Sequence, residues 1–206
     1  MKFSRVILIL AIMTAAVTIY FIQSSSGDNE ESYLADLHQD REQKDAFMRS
    51  DQSPFGDSRV QFSGLQYFEP DLKYRVIADL KPVKDKKVRV LGTSTGEETR
   101  YLEYAWADFT LDGEKCRLLL LEVMDMGPTR GTLFLAFSDA TSAKETYGAG
   151  RYLDVKKVKG ATSIELDFNK AYNPYCAYAD SFSCPFPPTE NILKVAIRAG
   201  EKIYPH

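Results

Sequence analysis

Tyr101 to Val123 reads Y-L-E-Y-A-W-A-D-F-T-L-D-G-E-K-C-R-L-L-L-L-E-V. An aromatic run, Tyr101 to Leu111, and an apolar run, Cys116 to Val123, meet at Asp112-Gly113. Asp-Gly suits a tight hairpin turn, because both of its central positions take φ > 0 at low cost. The stretch therefore predicts two long antiparallel strands.

The pattern around it agrees. Tyr74, Val76, Ala78 and Leu80 alternate with Arg75, Ile77 and Asp79, the period of a strand with one buried face. Val88 and Val90 mark a short strand, and Leu133, Leu135 and Phe137 mark another after Gly131. Arg151–Val155, Ile164–Asn169 and Ile192–Ala199 add three more, with Lys202–Tyr204 set to pair back across Ala199-Gly200. Strands this numerous with no long helix between them predict a mainly β (α+β) fold, an antiparallel barrel or sandwich of about eight strands. One helix, over Ser32–Ser50, precedes it: Ser32 caps it, and Asp40/Lys44 and Arg41/Asp45 are i,i+4 pairs. Ser53-Pro54-Phe55-Gly56 ends it.

At the N-terminus Lys2 and Arg5 precede an uncharged, apolar run, Val6–Ile22. The run approaches the length that spans a bilayer core and exceeds a usual signal h-region. It predicts an anchor helix over 1–23, an acidic tether over 24–31 and one extracytoplasmic domain over 32–206. The positive flank places the N-terminus in the cytoplasm and the domain outside, periplasmic or extracellular. The membrane, through Val6–Ile22, is then a partner; secretion after signal cleavage is the alternative. The net charge of −3 argues against nucleic-acid binding. The 44% apolar and 27% charged fractions are those of a globular domain.

Function is expected where sequence departs from these periods. Asp167 to Asn191, D-F-N-K-A-Y-N-P-Y-C-A-Y-A-D-S-F-S-C-P-F-P-P-T-E-N, is too apolar for a linker and too broken for a helix. Its Cys176 and Cys184 predict a disulfide on the oxidising side of a membrane, and with no histidine nearby no metal site is expected. Cys116 shares strand parity with Leu118 and Leu120 and reads as a buried thiol. Ser142-x-x-Glu145 is a capping-box pattern, which predicts a short helix over Asp139–Tyr147 ahead of the Gly148-Ala149-Gly150-Arg151 turn. Gly92-Thr93-Ser94-Thr95-Gly96 matches the G-x-S-x-G elbow, but strand-like sequence follows it, and the one downstream histidine is His206. The lysines at 81, 84, 86 and 87 and at 156, 157 and 159 read as solvated strand ends.

Four segments stand in one order: Phe137-Ser138-Asp139-Ala140-Thr141, Glu145-Thr146-Tyr147-Gly148-Ala149-Gly150-Arg151-Tyr152, Asp167-Phe168-Asn169-Lys170-Ala171-Tyr172-Asn173-Pro174 and Cys184-Pro185-Phe186-Pro187-Pro188. Together they resemble a bacterial and archaeal family, domain of unknown function 1684, over about Asp45–Tyr204. The resemblance implies that they form one unit, and it brings no activity, cofactor or catalytic residue. The candidate ligand-binding residues are Asp139, Tyr147, Arg151, Asp167, Asn169, Asn173, Glu190 and Asn191, with Arg151 as a clamp for an anionic group and Asp167, Asn169 and Asn173 as a hydrogen-bonding wall. Two other readings stay open. One is a hydrolase using two of Asp139, Glu145, Asp167 and Glu190 as acid and base; the other is an envelope scaffold. The sequence names no ligand or cofactor.

Overall fold

The computed structural model describes residues 29–56, 62–124 and 129–205. The chain divides into two units, Met1–Lys44 and Asp45–His206. A helix, α1, is described over 29–48, close to the span predicted. The second unit holds seven strands: β1 (Arg75–Pro82), β2 (Val88–Gly92), β3 (Glu98–Leu111), β4 (Glu114–Val123), β5 (Leu133–Phe137), β6 (Arg151–Val155) and β7 (Ser163–Asp167). They form one curled, antiparallel half-barrel sheet in the order β6-β5-β4-β3-β1-β7, with β2 also paired to β3.

The hairpin at its centre is the one read from Asp112-Gly113. Asp112 and Gly113 take φ of 49° and 83°, and Leu111 pairs with Glu114. β3 is long enough to serve two neighbours on one side: its first half pairs β2 and its second half pairs β1. A bulge between Glu103 and Ala105 lies between these two stretches. β4 explains its own run of leucines. Leu118 and Leu120 join the main core, whereas Leu119 and Leu121 join Leu91 and Tyr101 on the opposite face. A strand buried on both faces reads as a continuous apolar run. A third cluster gathers Met48, Phe62, Tyr178 and Tyr204, with Phe55 packed among them.

Three expectations are corrected. Among the described residues the sheet has seven strands and is half a barrel, neither a closed barrel nor a sandwich, and the last predicted strand does not form. Ile192–Ala199 keeps a strand's alternation in part, with Leu193, Ile197 and Ala199 buried and Ile192 exposed. It has no ladder neighbour along its length; a single bridge joins Ile192 to Ser138, and side chains take up much of the remaining backbone. Lys202–Tyr204 likewise turns to other backbone, with Lys202 N–H donating to Gln66 at 2.8 Å.

The helix expected over Asp139–Tyr147 is a chain of turns. The Asp139 carboxylate binds the Thr141 amide at 2.8 Å, and Ala143 takes φ of 62°. A side chain that bonds the amide two residues on offers the backbone an alternative to the helix.

The membrane partner and the single-pass location are corrected as well: no helix among the described residues is long and apolar enough to cross a membrane. Val6–Ile22 and most of the 24–31 tether lie outside the described residues.

Candidate functional site

The candidate residues divide by what each is bonded to. Asp139 and Arg151 form an ion pair at 2.9 Å whose side chains are 0% and 1% exposed. The guanidinium of Arg151 also donates to the carbonyls of Ile197 at 2.9 Å, Glu201 at 3.2 Å and Ala199. The second carboxylate oxygen of Asp139 accepts from Thr141 N–H, the Thr141 hydroxyl and Ile197 N–H, the last at 3.2 Å. The C-terminal arm over 192–204 is thus held in part by these two side chains, beside backbone hydrogen bonds to Ser138, Ala140 and Ala171. Burial lowers the Arg151 pKa from its ordinary value, and the Asp139 charge opposes that shift.

Asp167 caps the 3-10 turn Phe168–Lys170 by accepting from Asn169 N–H at 3.1 Å. Asn169 in turn grips the backbone of Asp71, accepting its N–H at 3.1 Å and donating to its carbonyl at 2.9 Å. Asn173 points to the arm: its N–H donates to the Glu201 carboxylate and its side-chain amide to the Lys202 carbonyl, both at 2.9 Å. The Tyr178 hydroxyl donates to the same oxygen of Glu201 at 2.5 Å.

Asn191 fills the place where β4 and β5 part, since those strands pair only through Leu121–Phe134 and Glu122–Leu133. Its side chain accepts from Leu119 N–H at 2.6 Å and donates to the carbonyls of Leu119 at 3.0 Å and Ala136 at 2.8 Å. Glu190 is exposed and takes a hydrogen bond from Arg89 at 2.9 Å, while the same Arg89 nitrogen donates to Glu103 at 2.7 Å. The backbone N–H at Glu190, and then Arg89, hold its carboxyl below the ordinary value.

So the structure brings Asp139, Arg151 and Asn173 onto one arm, sends Asp167 and Asn169 to residue 71, and Asn191 and Glu190 to the sheet. The four acids of the hydrolase reading are each committed separately. Asp139 goes to Arg151, Asp167 to Asn169, Glu190 to Arg89, and Glu145 to Arg198 with two contacts at 2.9 Å.

Gly92–Gly96 is the tip of the β2–β3 hairpin. A strand follows it, and the Ser94 hydroxyl donates to the Phe182 carbonyl at 2.7 Å, as a brace for the loop. A groove of about 410 Å³ lies elsewhere, beside Asp79, Lys81, Asp108, Lys115 and Arg117, and none of the candidate residues lines it.

The 139–151 and 167–191 segments do meet, through apolar and aromatic groups. A side chain at Gly150 would fall 2.6 Å from Pro187 Cγ and 2.6 Å from the Phe137 carbonyl oxygen, so only glycine lets the turn and the loop close on each other. The Tyr147 hydroxyl reaches the Cys176 carbonyl at 3.4 Å. Tyr152 donates to the Pro185 carbonyl at 2.7 Å and lies edge-on to Tyr172, ring centroids 6.0 Å apart. Tyr175 stands edge-on to Phe182 at 5.3 Å.

Burial, chiefly, holds the Tyr147 phenol up at about 12 and raises those of Tyr152, Tyr172 and Tyr178 as well. The expected disulfide is corrected here. Cys176, Cys184 and Cys116 are all free thiols, and the Cys176 amide rests on the Cys184 sulfur at 3.2 Å. Sequence reasoning missed Glu201, which carries no motif, and saw in Ser94 only the G-x-S-x-G pattern; the partners of both lie far off in the chain.

The model of the family described as protein of unknown function (DUF1684) matches residues 60–202. The chain is also similar to an uncharacterized protein of Haloarcula marismortui, solved by solution NMR. That protein shares 37% identity over 85% of this chain and 96% of that one, with a TM-score of 0.64. No curated protein matches the chain. The matched range lies within the stretch over which the four motifs resemble that family, and the chain belongs to it, the family of proteins of unknown function DUF1684.

Proposed function

We propose that this domain is a binding module whose ligand contacts are made by aromatic rings on the adjoining 139–151 and 167–191 segments. Asp139, Arg151, Asp167, Asn169, Asn173 and Asn191 then act beneath that surface, fixing the backbone that carries the rings. Tyr147 and Glu190 are the candidate residues left to touch a ligand. The observation that carries the reading is that Tyr175 and Phe186 stand 40% and 42% exposed on a loop that is otherwise bonded down. Large rings offered to water on a rigid support mark binding surfaces more than folding cores.

The ligand class that fits is a carbohydrate. A pyranose ring has an apolar C–H face that stacks on an exposed aromatic face, and its hydroxyls suit the Tyr172 phenol, the Asp154 carboxylate bonded to it, and the carboxylates of Asp180 and Glu190 in the 167–191 segment. The test is a titration of the purified protein with a panel of neutral and acidic oligosaccharides, followed by backbone NMR shifts. Shifts confined to 145–152 and 172–191, together with weakening by about tenfold (about 1.4 kcal/mol) in Tyr175→Ala and Phe186→Ala, are expected. Silence across the panel, or binding unchanged in both variants, rejects the reading.

A further inference from the structure

The two loop thiols have a use that ring stacking does not touch. Cys176 and Cys184 are 7% and 8% exposed, and they adjoin each other across the loop. Each sulfur has one donor beside it: Cys176 N–H reaches Cys184 Sγ at 3.2 Å, and the Tyr147 hydroxyl stands 3.7 Å from Cys176 Sγ and 3.4 Å from the Cys176 carbonyl. A neutral thiol is a weak acceptor, whereas a thiolate sulfur is a good one. The Cys176 N–H and the Tyr147 hydroxyl are donors that a metal-bound thiolate would keep.

The pair is also held in place. Cys184 exchanges backbone hydrogen bonds with Ser94, its N–H donating to the Ser94 hydroxyl at 3.1 Å and its carbonyl accepting from Ser94 N–H at 3.0 Å. Cys176 lies in the 3-10 turn Tyr175–Ala177.

A metal ion displaces thiol protons as it binds. No group of three or more His, Cys, Asp or Glu that could hold a metal stands among the described residues, so a tetrahedral zinc set is not on offer here. Two sulfurs without imidazole or carboxylate suit a soft ion content with two ligands.

We propose that Cys176 and Cys184 form a two-coordinate site for a soft monovalent metal ion, copper(I) or its analogue silver(I). Binding forms two metal–sulfur bonds and releases two protons, with no change of oxidation state. The resulting anionic dithiolate keeps the Cys176 N–H and the Tyr147 hydroxyl as its hydrogen-bond donors.

The experiment uses the reduced full chain, copper(I) supplied against a chromogenic copper(I) chelator, and native mass spectrometry. The expected result is one copper retained per chain, with a mass gain of one copper less two protons and ultraviolet thiolate-to-metal absorption. Retention should fall at least 100-fold in Cys176→Ser and in Cys184→Ser and persist in Cys116→Ser, all three checked for native circular dichroism. The chelator stripping all copper from the wild type overturns the proposal, whether or not the variants fold. So does retention that survives in the Cys176→Ser/Cys184→Ser double variant. Mass analysis of the protein isolated without reductant, showing Cys176 and Cys184 joined to each other, overturns it as well, because an oxidised pair offers no thiolate.

Discussion

Removing the Asp139 carboxylate tests the reading of Arg151 as the holder of the C-terminal arm. In Asp139→Ala the guanidinium stays buried with its carbonyl partners and without its counter-charge. Breaking a buried pair from one side costs about 3–5 kcal/mol, because a charge is left uncompensated. The amides of Thr141 and Ile197 lose their acceptor as well, at about 1–3 kcal/mol for each one that water cannot reach, which favours the upper part of that range. For a domain of this size each kcal/mol is worth about 2–4 °C in Tm, so a fall of roughly 6–20 °C is expected.

Thermal and urea unfolding, followed by circular dichroism, measure the fall. Glu145→Gln, at the exposed pair with Arg198, is the control and should leave the transition in place. Arg151→Met removes the buried charge, and the Asp139→Ala/Arg151→Met double variant should be less destabilised than the sum of the single changes. A loss under about 1 kcal/mol in Asp139→Ala, the value of a solvated pair, would refute the reasoning. Additive single and double losses would refute it too.

Asn191→Ala should cost about 2–4 kcal/mol, since it strips an acceptor from Leu119 N–H and donors from two buried carbonyls; urea unfolding measures it, and Asn191→Asp should not restore stability because it cannot donate to those carbonyls. Stability should also fall as pH rises above about 10. The phenols of Tyr147, Tyr152, Tyr172 and Tyr178 titrate higher in the folded chain than in the unfolded one, chiefly through burial. Between those two values the unfolded chain holds fewer protons, so the slope of unfolding free energy with pH is negative. Tyrosinate absorbance should therefore rise together with loss of the folded signal; buried tyrosines ionising while the fold stays intact would contradict this.

The sheet was legible because strand period and turn chemistry are local. Tyr101–Val123 announces its hairpin through Asp112-Gly113, and five of the remaining strands sit within a few residues of their alternating runs. Ile192–Ala199 shows why a period is not enough. Its side chains alternate between core and solvent in part, while the carbonyls of Ile197 and Ala199 go to Arg151 and that of Val195 to the Ala140 amide, and alternation says nothing about what takes up the backbone. The turn at Asp139–Tyr147 fails for a related reason. Its capping-box letters suit a helix start, yet the Asp139 carboxylate binds the chain two residues on and also reaches Arg151, which no local pattern records.

The candidate site was located by its density of Asn, Asp and Tyr. Density does not tell whether such groups face a ligand or face their own backbone, and here most face backbone. The cysteine spacing was read as a covalent staple, and the structure sets the same two residues side by side as thiols.

The attachment of the arm by side chains has a consequence for the order of assembly. Its contacts to Asp139 and Arg151 span 46 to 58 residues of sequence, among the long closures that slow a folding reaction. During synthesis the ribosome releases Arg151 well before the carbonyls of Ile197, Ala199 and Glu201 exist to receive it. That guanidinium therefore lacks its carbonyl partners until residues 197–201 have been made. Pairing of the sheet can precede docking of the arm, whereas the docking cannot precede the synthesis of residues 197–201.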